Sequence, residues 1–159
     1  MAVTTLEELA STLPHAAPLI GLDLGTRNIG IAVSDRLRTV ATARSVLRRT
    51  RFQADARSLI DLAAGEAAAG IVIGLPLNMD GSEGPRAQAT RAFARNLSRL
   101  TAMPLILWDE RLSTAAVERM LIAGDTSRAR RAELKDKLAA AWILQGVLDR
   151  LAALSGGAP

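Results

Sequence analysis

The sequence contains no cysteine, no tyrosine and only one histidine among its 159 residues. The absence of cysteine excludes disulfide bonds and thiolate metal sites, and it is compatible with an intracellular address. The single histidine, His15, lies near the N-terminus, where we expect it to be a bystander. A zinc site built from clustered histidine and cysteine is therefore not expected.

Long hydrophobic runs are also missing. No stretch approaches the roughly 18 consecutive apolar residues of a transmembrane helix, and the N-terminus lacks the basic start and apolar core of a signal peptide. The apolar content of 49% and the mixed charges are typical of a folded globular chain. These features predict a soluble, cytoplasmic protein with one domain.

Basic residues are in modest excess, with 20 Lys and Arg against 16 Asp and Glu. Eighteen of the 20 are arginine, whose planar guanidinium suits two-point contact with phosphate. The arginines concentrate in two groups, which are Arg44, Arg48, Arg49 and Arg51, and Arg128, Arg130 and Arg131. Such groups are typical of a nucleic-acid-binding surface, but an ordinary solvated basic surface is an equal alternative from charge alone.

The order of apolar runs and helical patterns predicts an α/β fold. Three strands come first, and helices then alternate with further strands, which predicts a mixed sheet with helices packed on it. Residues 1–17 are expected to be a flexible leader with a short helical piece, residues 18–154 a single domain, and residues 155–159 a disordered tail. The predicted strands lie at about 18–24, 28–34, 39–47, 71–75 and 104–108, the helices at 52–69, 85–100, 113–123 and 131–153, and a polar basic loop at 124–130.

Asp23 is a carboxylate inside the otherwise apolar segment 18–25 (PLIGLDLG). Aspartate is depleted from strand interiors because its short charged side chain fits a half-buried pleated surface badly. A buried carboxylate is also costly unless it is paired or bound to a metal. Asp23 is therefore predicted to have partners elsewhere in the chain.

The first candidate partners are Asp109 and Glu110, which directly follow the strand predicted at 104–108. Open α/β sheets place their ligand sites at this end of their strands. Sequence alone does not say which of the two side chains points inwards. A role in capping the next helix, or an ion pair between Glu110 and an arginine, is the alternative.

The second candidate partner is Asp136. On a helix it shares a face with small and apolar residues, at positions 139, 140, 143 and 147, by i+3 and i+4 spacing. This pattern indicates a ridge that packs towards the sheet. Because the position also lies in the first two turns of the predicted helix, where the helix dipole favours negative charge, an ordinary N-terminal acid is the alternative.

Three carboxylates from a strand, a strand end and a helix start could converge on a hard cation. Carboxylate oxygens suit Mg²⁺ or Mn²⁺. Two such ions, about 4 Å apart, could activate a water and stabilise the leaving oxygen of a phosphodiester. No covalent nucleophile is needed for that chemistry, and none is evident in the sequence.

Four motifs occur in one order along the chain, and together they resemble the YqgF (RuvX) family of the RNase H-like superfamily over roughly residues 18–150. They are 21–35 (GLDLGTRNIGIAVSD), 74–84 (GLPLNMDGSEG), 109–114 (DERLST) and 136–140 (DKLAA). The resemblance implies a five-stranded mixed sheet flanked by helices and a metal-dependent nuclease site. Family members are assigned to 5′-end processing of pre-16S ribosomal RNA and also to Holliday-junction resolution.

Residue by residue, the resemblance implies that Asp23, Glu110 and Asp136 are the catalytic metal ligands, with Asp109 as a rival to Glu110. Arg27 and Arg111 are implied phosphate contacts or structural ion pairs. The loop from Asn78 to Gly84 is expected to be a mobile flap facing the substrate, with an ordinary connector as the alternative. The remaining nucleic-acid-binding candidates are Arg128, Arg130 and Arg131. One departure is Lys135, since the family more often has an apolar residue before the aspartate.

Other functions fit parts of the same pattern. The segment 21–26 (GLDLGT) also resembles the first phosphate motif of actin- and Hsp70-type ATPases, but those proteins clamp ATP between two such lobes and this chain has one. A catalytically silent RNA-binding module that uses the arginine groups is a further alternative. Precursor rRNA, ribosomal precursor particles and branched DNA all remain open as partners. The chain is expected to be a monomer or a homodimer, and a junction resolvase should be a dimer.

Overall fold

The structure is a computed structural model that describes residues 3–112 and 128–155, with the side chains of these ranges except those of 128–134 and 136. The described strands are β1 (Val3–Thr4), β2 (Leu19–Leu24), β3 (Asn28–Ser34), β4 (Ala41–Arg48), β5 (Gly70–Leu75) and β6 (Leu105–Asp109). The described helices are α1 (Leu6–Thr12), α2 (Phe52–Gly65), α3 (Pro85–Ser98) and α4 (Arg128–Leu154), and a short 3₁₀ turn spans Glu110–Leu112.

The described strands form one mixed sheet in the order β1-β6-β5-β2-β3-β4. β2, β3 and β4 are antiparallel neighbours, whereas β2, β5, β6 and β1 run parallel to one another. The predicted three antiparallel strands followed by parallel ones are therefore present. The count of five was wrong by one, because two residues of the N-terminal segment add an edge strand beside β6.

In place of a flexible leader, the described part of residues 1–17 is packed against the sheet. Leu6 and Leu9 of α1 are buried in the same apolar cluster as α4. The guanidinium of Arg38, in the β3–β4 turn, donates to the carbonyl oxygens of Ala17 at 2.6 Å and Pro14 at 2.9 Å. The predicted short helical piece is present as α1, whereas a two-residue strand carries too little periodic pattern to be recognised from sequence.

The helices predicted at 52–69, 85–100 and 131–153 are present as α2, α3 and α4, but they begin or end at other residues than predicted. α4 begins at Arg128, three residues before the predicted start, so part of the predicted polar loop at 124–130 is helical. The helix predicted at 113–123 and the rest of that loop lie outside the described residues. Residues 156–159 of the predicted tail also lie outside them. No described helix is long and apolar enough to cross a membrane.

The direction of α4 determines which of its residues come near Asp23. Its last turns, at Leu151 and Leu154, line a surface recess with Leu13, which precedes β2. Its middle packs on the centre of β2, where a Cβ on Gly21 would lie 2.8 Å from Leu144 Cβ and 3.0 Å from the Ala140 carbonyl oxygen. α4 therefore runs opposite to β2, and its N-terminal half approaches the end of β2 at which Asp23 lies.

Candidate active site

Asp23 faces the side of the sheet that α4 covers. Successive side chains of a strand point to opposite faces, and the Cβ direction of Gly21 meets α4. Asp23, two residues further on, therefore shares that face, whereas Leu22 and Leu24 belong to the opposite apolar cluster with α2 and α3. Asp23 is half-buried among strands that are otherwise almost fully buried.

Glycines flank Asp23 on both neighbouring strands. Gly30 of β3 is its antiparallel partner. On β5 the pairing of Leu22 with Ile73 brings Gly74 next to Asp23. Neighbouring strands lie about 4.8 Å apart, so the absence of both side chains leaves space beside the carboxylate on the α4 face.

Glu110 occupies part of that space. Its Oε1 lies 2.8 Å from the position that a Cβ on Gly74 would take, and its Cγ lies 3.1 Å away. Ile143 Cδ1 of α4 lies 2.6 Å from the same position, which shows that this is the α4 face. The structure thus brings the carboxyl groups of Glu110 and Asp23 to one side of the sheet, at the ends of β6 and β2, the two parallel strands that flank β5.

Asp109 has a different environment. Its carboxylate accepts hydrogen bonds from the Arg111 guanidinium, at 3.0 and 3.2 Å from Nε and 2.7 Å from Nη2, and another from the Arg111 backbone N–H at 2.9 Å. These bonds hold the pKa of Asp109 below its ordinary value, with the Arg111 side chain as the largest cause and burial acting in the opposite direction. The same pairing raises the pKa of Arg111. Of the predicted alternatives for Arg111, the ion pair is therefore the one observed.

Arg111 also anchors the loop from Asn78 to Gly84, which was predicted to be a mobile flap. Its Nη1 donates to the Met79 carbonyl oxygen at 3.1 Å. Within the loop, the Asn78 backbone N–H donates to the Ser82 carbonyl oxygen at 2.9 Å, and Asn78 Nδ2 donates to Ser82 Oγ at 2.9 Å. Gly81 adopts a φ of 88°, which closes this turn at little steric cost. Asn78 therefore lies in a hydrogen-bonded turn tied to the segment that carries Glu110.

Asp136 lies in α4 one helical turn before Ala140, on the part of the helix that approaches the end of β2. Its side chain is outside the described part of the structure, so the convergence of its carboxylate with the other two stays a prediction. Arg128, Arg130 and Arg131 belong to the first turn of α4, and their side chains are likewise not described. Arg27 is exposed in the β2–β3 turn, and its carbonyl oxygen accepts a hydrogen bond from the Arg49 backbone N–H at 2.8 Å.

Among the residues whose side chains the structure describes, no three acidic or histidine groups form a metal-binding cluster. The two carboxylates that do share the α4 face offer only oxygen ligands, which fit Mg²⁺ or Mn²⁺ better than softer ions. His15 lies at the other end of the sheet, beside Leu13 and Pro14 in the recess before β2.

Substitution of Gly74 by alanine should displace Glu110. The new methyl group would lie within 3 Å of both Glu110 Oε1 and Ile143 Cδ1, so both side chains must move. Overpacking of this kind lowers the free energy of unfolding by about 1–3 kcal/mol. If Glu110 acts in the reaction, we also expect the rate of phosphodiester cleavage to fall by more than the loss of folded protein explains.

Gly70→Ala is the matched control, because it lies at the opposite end of the same strand. Its Cβ would lie 3.3 Å from the Pro104 carbonyl oxygen and 3.4 Å from Leu19 Cδ2. Gly70 is the first residue of β5, at the end away from Gly74 and Glu110. Denaturant unfolding and a cleavage assay should be run on both variants. Equal specific activities at equal folded fraction would contradict a role for the Glu110 position.

Sequence reasoning overlooked Arg86, and it grouped Arg49 only by charge. Both guanidinium groups lie at the end of β2, within hydrogen-bonding distance of the backbone just after Asp23. The position of Arg86, directly after Pro85 at the start of α3, was the available signal. Arg86 places a cation at the end of the sheet where the parallel strands have their C-terminal ends.

The chain matches a known protein family over most of its length. A family model described as "RuvX: Holliday junction resolvase" matches residues 17–150. A protein of Paracoccus denitrificans named "Putative pre-16S rRNA nuclease" is 60% identical over 95% of this chain and 96% of its own length. A protein of Rhizobium meliloti with the same name is 59% identical over 99% of this chain and 96% of its own length.

Solved structures resemble the fold at much lower identity. RuvC of Thermus thermophilus in complex with a Holliday junction substrate superposes with a TM-score of 0.56 and 13% identity, covering 89% of this chain and 98% of RuvC. The yeast mitochondrial Holliday junction resolvase Ydc2 gives a TM-score of 0.52 and 14% identity, covering 94% and 85%. These likenesses confirm the predicted RNase H-like fold. The family match and the relatives about 60% identical over nearly their whole length show that the chain belongs to the RuvX family.

Proposed function

We propose that this protein is a nuclease that hydrolyses phosphodiester bonds of pre-16S ribosomal RNA in the cytoplasm, with two Mg²⁺ or Mn²⁺ ions as cofactors. The substrate follows from relatives that are about 60% identical over nearly their whole length and carry that name. The single structural observation that supports it is the position of Glu110 Oε1 against Gly74, beside the strand position of Asp23.

In this proposal Asp23, Glu110 and Asp136 hold the ions through carboxylate oxygens. When bound, such ions supply an activated water and offset charge on the phosphate and on the leaving oxygen. Asp23 is fixed by the pairing of β2 with strands on both sides. Glu110 is fixed by the 3₁₀ turn that directly follows β6. β2 and the turn after β6 therefore hold the backbone of two of the three acids in place before any ligand binds, and preorganisation of this kind is what metal-assisted hydrolysis requires.

The arginine-rich chain would contribute the binding of the substrate backbone. Nucleic acids present one negative charge per nucleotide, and neutralising those charges with arginine supplies most of the sequence-independent affinity. Arg27 is exposed in the turn that follows β2, close in sequence to Asp23. We assign Arg27, Asn78 and the first-turn arginines of α4 to this role.

The test is a cleavage assay on two substrates. Purified protein is incubated with an RNA that spans the mature 5′ end of 16S rRNA and its precursor extension, and separately with a four-way DNA junction. Mn²⁺, Mg²⁺ and Ca²⁺ are compared, with EDTA as the control. We expect cleavage of the RNA with Mn²⁺ or Mg²⁺ and none with EDTA.

The second candidate is Holliday-junction resolution, which the description of the matched family and the fold of the resolvase neighbours favour. Symmetric cleavage of the junction without cleavage of the RNA would replace the rRNA proposal with this one, and the protein should then be a dimer by solution mass. Binding of RNA without cleavage under any metal, in folded protein, would instead support a silent binding module.

A further inference from the structure

A small recess lies at the end of β2, on the side of the sheet opposite α4. Its volume is about 80 Å³. The lining residues contain two arginines, two threonines and no acidic residue; they are Leu24, Gly25, Thr26, Arg49, Arg86, Ala89, Thr90 and Phe93. The recess is therefore small, positively charged and open to a ligand about the size of one phosphate group.

Both arginines are held by backbone oxygen atoms that directly follow Asp23. Arg49 Nη1 donates to the Gly25 carbonyl oxygen at 2.7 Å, and Arg86 Nη2 donates to the Leu24 carbonyl oxygen at 3.4 Å. Arg49 also lies over the Phe93 ring, with its Cζ 5.6 Å from the ring centroid. Because they contact consecutive carbonyls, the two guanidinium groups lie close together, and Arg49 is the more firmly held of the two.

Neither arginine is neutralised in the described part of the chain. The ion pairs there are Arg44 with Glu66, Arg91 with Glu83, and Arg111 with Asp109. A guanidinium carries five N–H donors, and the contacts described use one of them on each arginine. Two adjacent like charges repel each other, and an anion between them would offset that repulsion and accept the remaining donors.

The position of the recess relates it to the proposed reaction. Leu24 and Gly25, whose carbonyl oxygens hold the arginines, are the two residues after Asp23. Asp23 faces α4 and the recess opens on the other side, so the two lie on either side of the end of β2. A nucleic-acid strand that crosses this end with one phosphate at Asp23 would bring a neighbouring phosphate to the recess.

We propose that Arg49 and Arg86 form a binding site for one phosphodiester phosphate of the substrate, next to the one that is cleaved. This inference rests on the proposed nuclease function for the identity of the ligand. The charge and size of the recess select a phosphate. The rigid hold on Arg49 by Gly25 and Phe93 sets where along the strand that phosphate must lie. The site would thus fix the register of the strand relative to Asp23.

The experiment measures equilibrium binding without catalysis. Fluorescence anisotropy follows a labelled single-stranded precursor RNA in EDTA across a series of salt concentrations, for wild type, Arg86→Gln and Arg99→Gln. Arg99 is the matched control, because it is an exposed arginine at the opposite end of the same helix. Loss of one phosphate contact on a single strand should reduce the slope of log K against log salt by about 0.7.

We expect Arg86→Gln to show that reduction and a several-fold weaker affinity, and Arg99→Gln to behave like wild type. Arg49→Lys keeps the charge but loses the planar guanidinium, so it should weaken RNA binding. Thermal unfolding of this variant checks that the fold is intact. Equal effects of Arg86→Gln and Arg99→Gln, or none from either, would overturn the proposal.

A second arm separates this proposal from the proposed function. RNAs that carry one uncharged methylphosphonate at successive positions are bound to wild type and to Arg86→Gln. A single position should weaken binding to wild type and not to the variant, and where wild type cuts the RNA this position should be next to the cleaved phosphate. Because this assay needs no cleavage, its result would still stand if wild type failed to cut RNA with Mn²⁺. Additive effects of methylphosphonate and Arg86→Gln at every position would reject the recess as the site.

Discussion

Replacement of Asp23 by asparagine is expected to lower the rate of RNA cleavage by at least about 100-fold, because it removes a metal-binding oxygen. The fold should survive, since the amide has nearly the same shape and the residue is only half-buried on the strand. RNA affinity in EDTA should not fall, because without a metal the carboxylate repels phosphate and does not bind it. The loss should therefore appear in kcat and in the metal concentration needed for half-maximal rate.

The control for this variant is Asp61→Asn, which makes the same chemical change on the exposed face of α2. Both proteins should be compared by thermal unfolding, anisotropy in EDTA and single-turnover cleavage with Mn²⁺. A rate for Asp23→Asn within a few-fold of the Asp61→Asn rate would reject Asp23 as a metal ligand. A variant that no longer binds RNA would point to a role in the fold of the β2–β3 turn.

The sheet was predictable where the sequence has a strong period. β2, β3, β5 and β6 are apolar runs with turn residues at their ends, and such runs determine strand positions to within a residue or two. β1 was missed because two residues, Val3 and Thr4, cannot show a period. It forms because β6 would otherwise be an edge with unpaired backbone groups, which is a property of the assembled sheet.

The site was predictable in its residue types and less so in its geometry. Asp23 stood out because charge inside an apolar run conflicts with local propensity, and such conflicts concentrate at functional sites. Which of the Asp109 and Glu110 side chains lies on the α4 face needed the structure, because β6 ends at Asp109 and the 3₁₀ turn that follows breaks the alternation of side chains. Arg86 could not be linked to Asp23 from sequence, since 62 residues separate it from the Leu24 carbonyl that it contacts.

Glu110→Gln and Asp109→Asn make a direct comparison of the two rival acids. Each replaces a carboxylate by the corresponding amide, one residue apart. Glu110 Oε1 lies on the α4 face against Gly74, whereas Asp109 is paired with Arg111 at 2.7 Å. We expect Glu110→Gln to lower the cleavage rate by at least about 100-fold, as removal of a metal ligand should.

Asp109→Asn should have a far smaller effect. A partly exposed ion pair contributes about 1 kcal/mol or less, and that amount corresponds to about fivefold in rate if it all appeared in the transition state. Part of the fall in cleavage rate should come from displacement of the loop from Asn78 to Gly84, because Arg111 would keep its bond to the Met79 carbonyl oxygen but lose the carboxylate that orients it. Arg111→Gln should then reproduce the effect of Asp109→Asn, and the double variant should be no worse than either. If Asp109→Asn were instead the inactive protein and Glu110→Gln the active one, Asp109 would replace Glu110 as the second metal ligand. The contact of the Glu110 side chain with Gly74 would then serve packing alone.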